Sequence, residues 1–91
     1  MKPHQYNSLQ MAILAQLPRV DPEGQGHYTT AAGLKMDPEA HPLVAQASLP
    51  SLRANLGVLA RTGACIRNRD MYRLHRRGHG SAYAVQPVKR P

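Results

Sequence analysis

Arginine is the residue that most suggests chemistry in this chain. Seven of them, Arg53, Arg61, Arg67, Arg69, Arg73, Arg76 and Arg77, fall within a 25-residue stretch that contains no lysine and a single acid, Asp70. A guanidinium is planar and always charged. Its fork of N–H donors matches the oxygens of a phosphate or the edge of a guanine better than a lysine point charge does. The chain as a whole carries a formal charge of +7, with a pI near 10.4. That charge is unevenly placed. Up to Ser51, three cations stand against the four acids Asp21, Glu23, Asp37 and Glu39, whereas from Leu52 onward nine cations stand against Asp70 alone. One half has the composition of a scaffold and the other half attracts polyanions.

The other chemistries are poorly supported. His75 and His79 lie four apart with Cys65 nearby in sequence, but a metal site needs three or four converging ligands, and Gly78 interrupts the helix that would align them. Cys65 is the only cysteine, which rules out an internal disulfide. Basic neighbours would lower a thiol's pKa, yet no histidine and acid are spaced to support a nucleophile, so a small strand residue is the better reading. The acids sit beside prolines and glycines, where turn and capping roles explain them. The sequence therefore points to neither an enzyme nor a cofactor. Without a signal-peptide pattern or a long apolar run, a cytoplasmic protein is expected.

A chain of 91 residues with 42% hydrophobic content can build one modest core, and its function then falls on a surface. Tyr6, Leu9, Ile13 and Leu17 recur at helical spacing, with Asn7 and Gln10 placed as cap and capping-box partner and Pro18 as the stop. The stretch from Arg19 to His27, with Pro22, Gly24 and Gly26, is expected to be a loop. A short second helix follows at Tyr28–Met36 behind a threonine cap, although Gly33 disfavours it. The punctuation at Asp37-Pro38 and His41-Pro42 leaves room for one extra helical turn at residues 43–47.

The main helix is expected from Ser48 or Leu49 to Thr62. Ser48 is its cap, Leu52, Leu56 and Leu59 form its buried stripe, and Gly63 closes it. Its other side presents Ala54, Gly57, Val58 and Arg61, with Arg53 at the edge. After it, Ala64–Arg67 and Met71–Leu74 alternate around Asn68-Arg69-Asp70. They predict a β-hairpin with Ala64, Ile66, Tyr72 and Leu74 inward and Arg67, Met71 and Arg73 outward. Residues 78–91 are expected to form a flexible basic tail or a dimerisation arm, although Ala82–Val85 also fits a further strand.

The run from Leu52 to Leu74, a leucine-striped helix ending at glycine and followed directly by an arginine-rich hairpin closing on Tyr72-Arg73-Leu74, resembles the winged helix-turn-helix family. The resemblance covers roughly residues 6–77. It implies an α+β, mainly helical domain of three helices and a β-hairpin wing over residues 1–77. The implied function is duplex DNA binding in transcriptional regulation or mobile-element maintenance, as a homodimer on a palindromic site. The candidate contacts are Ser51, Arg53, Asn55 and Arg61 on the helix and Arg67, Arg69, Arg73, Arg76 and Arg77 on and after the hairpin. Arg53 is placed to fork onto a guanine and Arg61 to meet a phosphate; Arg69 sits at the wing tip. The alternatives are a structured-RNA or ribosome-associated protein and a basic protein-interaction or inhibitor module. With no Phe or Trp and only four Tyr, single-strand stacking is disfavoured.

Overall fold

A computed structural model describes residues 5–68 and 81–86 of the chain. Over these residues the protein is α+β and mainly helical. Four helices, α1 (Ser8–Gln16), α2 (Ala31–Met36), α3 (Pro42–Gln46) and α4 (Leu49–Arg61), are followed by an antiparallel pair, β1 (Ile66–Asn68) and β2 (Ala82–Ala84).

The helix boundaries follow local chemistry. Asn7 accepts from the Gln10 amide at 2.8 Å while the Gln10 side chain accepts from the Asn7 amide at 3.0 Å, which closes the expected capping box on α1. Thr30 caps α2 and Ser48 caps α4. The extra turn forms as α3, with His41 Nδ1 accepting from the Leu43 amide and Pro42 in its first turn. Such a short helix has little stability of its own. Its far end is held by a neighbour, because Lys35 of α2 donates its Nζ to the carbonyls of Ala45 and Ala47 at 2.8 and 2.6 Å. Gln16, the last residue of α1, ties the same corner. It donates to the Leu34 carbonyl and accepts from the His41 amide.

Gly33 inside α2 has a packing reason. A methyl there would overlap Thr29 Oγ1. Thr29 is itself fixed, because its backbone exchanges two hydrogen bonds with Tyr83 of β2, at 3.0 and 2.7 Å. The core collects Ile13 and Leu17 of the first helix and its end, Leu34, Val44, the whole Leu52–Leu56–Leu59 stripe of α4, Cys65 and Tyr83. The three α4 leucines are fully buried.

The helix end and the strands depart from the expected hairpin. Gly63 takes φ +82, the Gly63 amide donates to the Ala60 carbonyl, and the Ala64 amide donates to the Leu59 carbonyl. This is a Schellman closure, which absorbs residues 63–65 into the helix end and delays the strand until Ile66. The expected alternation therefore holds only from Ile66 onward, and Ala64 and Cys65 belong to the helix end. Cys65 is buried, Ala64 and Ile66 are half-buried, and Arg67 is exposed as expected. Asn68, expected in the turn, is a strand residue opposite Ala82. The partner of β1 is Ala82–Ala84, in the register Ile66↔Ala84, Arg67↔Tyr83 and Asn68↔Ala82, and the expected second strand at Met71–Leu74 lies outside the described residues.

The expected loose tail is corrected for Ser81–Val85. Ser81, Ala82, Tyr83 and Ala84 are buried, and Val85 bonds back to Pro18 and Val20. β2 has β1 on one side; on the other, Tyr83 makes a single bridge to Thr29 and Val85, just after the strand, makes one to Arg19. A strand with neighbours along both edges and buried on both faces is a short continuous apolar run, and it is the further strand that Ala82–Val85 also fits in sequence.

Candidate nucleic-acid interface

α4 separates two surfaces. Its leucine stripe faces the core, and Arg53, Ala54 and Arg61 are exposed, with Gly57 and Val58 half-buried beside them. Arg53, Gly57 and Arg61 succeed one another at four-residue steps and so form one row, about 12 Å from end to end. Arg61 leans back along this row. A methyl built on Gly57 would lie 3.5 Å from Arg61 Nη1, so the guanidinium rests over the preceding turn. Gly57 leaves the floor between the two arginines nearly bare. Two of the four acids among the described residues are engaged in turns: Asp21 Oδ1 accepts from the Glu23 and Gln25 amides, and Asp37 Oδ1 accepts from the Glu39 amide. Both are the turn roles expected for them.

The hydrogen-bonding candidates on α4 are placed differently. Asn55 is half-buried, accepts from Gln10 Nε2 at 3.0 Å and donates to the Ser51 carbonyl at 2.8 Å. Its amide joins α1 to α4, and its work is docking the two helices. Ser51 is half-buried near the start of α4, its amide taken by the Ser48 hydroxyl. At the other end of the helix, the Tyr6 hydroxyl meets Thr62 Oγ1 at 2.9 Å, a second tie between the first helix and α4.

Beyond the glycine, Arg67 is exposed on β1, and its Nε donates to Ser81 Oγ at 2.7 Å. Ser81, itself buried, was not among the expected site residues. A serine fourteen positions away in a presumed tail carries no sequence signal for this contact; only the strand register supplies it. The four other expected contacts, Arg69, Arg73, Arg76 and Arg77, lie outside the described residues. The structure therefore gathers Arg53 and Arg61 on one helix face and places Arg67 on the strand that follows.

Cys65 is a buried free thiol. It is 6% exposed, and burial raises its pKa from the usual 9.0 to about 11. Among the described residues no group of three or more His, Cys, Asp or Glu side chains is placed to hold a metal ion. No helix among them is long and apolar enough to cross a membrane. Compared with models of protein families, with curated proteins and with solved structures, the chain matches none.

Proposed function

We propose that this chain binds duplex DNA as a winged helix, with α4 as the recognition helix and β1, β2 and their connection as the wing. The observation that carries the reading is the row Arg53–Gly57–Arg61, two exposed arginines with a half-buried glycine between them, on a side of α4 turned away from its fully buried leucines. Supporting it, the helix closes at Gly63 and passes directly into a strand bearing an exposed arginine. The connection from β1 to β2 holds four more arginines in sequence. In this reading Arg53, near the helix start, reaches a base edge. Arg61 and Arg67 meet backbone phosphates, and Asn55 is left out of the contact set. A homodimer on a palindromic site, acting in transcriptional control, extends the proposal.

The test is a salt titration by fluorescence anisotropy on a 25-base-pair duplex and on a single strand of equal length. If about five arginines neutralise phosphates, log K falls against log salt with a slope of about −4 to −5 per subunit on the duplex. A rigid helix face fits a groove of defined width, so the duplex is expected to bind more tightly at every salt concentration. Equal affinity for the two would remove groove docking and leave a generic basic surface. Tight binding to a structured RNA hairpin alone would move the function to RNA. No binding to any of them at low salt would favour a protein partner.

A further inference from the structure

The buried hydroxyl beside Arg67 has a consequence for that same interface, and the argument rests on the DNA-binding reading above. Arg67 stands opposite Tyr83 in the β1–β2 register, so Ser81, two residues before Tyr83, is its diagonal neighbour on the same face. Ser81 is 5% exposed, and its Oγ accepts from Arg67 Nε at 2.7 Å. A hydroxyl so buried must be satisfied. Among the described residues no carboxylate pairs with the guanidinium, and Arg67 as a residue is exposed.

With Nε occupied, the guanidinium keeps its two Nη groups as a pair of coplanar donors, the edge that grips two oxygens of one phosphate. Most exposed arginines lose rotamer freedom when they bind. Here part of that ordering is already done. We propose that Ser81 is a positioning residue that aims the Nη edge of Arg67 at a backbone phosphate of the bound duplex.

The bland reading of the contact is that Arg67 merely satisfies Ser81 and binds nothing. Arg67→Gln separates the two, because the glutamine amide nitrogen falls where Nε was. It keeps a donor for the serine but lacks the charge and the Nη edge. Measured on the full chain with the 25-base-pair duplex, Arg67→Gln should melt like the wild type, bind about three- to tenfold more weakly, and show a salt slope shallower by about 0.9. Ser81→Ala should weaken the wild type several-fold yet cost nothing further in an Arg67→Gln background, since its effect passes through Arg67.

Wild-type affinity and slope in Arg67→Gln would overturn the proposal. So would a Ser81→Ala loss of equal size in both backgrounds, the mark of a purely structural serine. If Ser81→Ala fails to fold, Ser81→Cys, which keeps the size of the side chain but accepts a hydrogen bond poorly, takes its place in the same two backgrounds with the same two outcomes. A wild-type chain that prefers no duplex at any salt overturns the DNA reading and this inference with it. A wild type that prefers the duplex while Arg67→Gln is indifferent overturns the inference only.

Discussion

At the scale of single residues, a cation is either used inside the domain or left on its surface, and environment decides which. Lys35 is committed to the carbonyls that end α3, whereas Arg53 and Arg61 stand exposed on α4. Gly57 tests whether the arginine row is a contact surface. A methyl there meets only Arg61 Nη1 at ordinary contact distance, so Gly57→Ala should stabilise the helix by about 0.5–1 kcal/mol. If the duplex lies against this row, the same substitution weakens binding. Thermal melting and anisotropy on one variant should therefore move in opposite senses, and parallel gains in both would place the duplex elsewhere. Cys65 gives a pH signature of its burial. Its proton is held up to about pH 11 in the folded chain and released near 9.0 in the unfolded one. The contribution of this group is complete below pH 9 and is lost as pH rises toward 11. The melting temperature of the wild type should therefore fall more steeply between pH 9 and 11 than that of Cys65→Ala. A thiol reagent at pH 8 should react only as fast as the domain opens.

At the scale of elements, the short helices hold because others complete them. α2 and α3 have six and five residues, too few to persist alone. α2 is set against the strand system through Gly33, where Thr29 takes the space of a side chain. Helix propensity alone would favour Gly33→Ala by about 1 kcal/mol. Overlap with Thr29 should reverse the sign and cost about 1–3 kcal/mol, read as a lowered urea midpoint. A stabilised variant would mean that Thr29 swings aside freely. α4 depends on its leucines. Leu56 is fully buried at the middle of the stripe, so Leu56→Ala should cost about 2–5 kcal/mol, and an unchanged melting temperature would contradict its place in the core.

At the scale of the whole molecule, the end of the chain closes the fold. Tyr83 belongs to the core, and residues 82–85 link β1 to both ends of the first loop, Tyr83 through Thr29 and Val85 through Arg19. A chain ending at residue 80 should therefore lose cooperative thermal unfolding, where removal of a dispensable tail would leave the melt unchanged. Much of the helical half was legible beforehand, because its determinants are local. The Asn7–Gln10 box, the Thr30 and Ser48 caps, the Leu52–Leu56–Leu59 stripe and the Gly63 stop each act within a turn or two of chain. The exposed arginines of α4 followed from the same stripe, since a helix that buries one side must show the other. The pairing of β1 with Ala82–Ala84 was not legible, nor was the commitment of Asn55 to Gln10 across 45 positions, nor that of Ser81 to Arg67. By itself the sequence determined where helices start and stop and where positive charge accumulates. Which strand meets which, and which polar side chains are used up inside the domain, was decided by tertiary structure, because those choices depend on contacts between residues that only the packed core brings together.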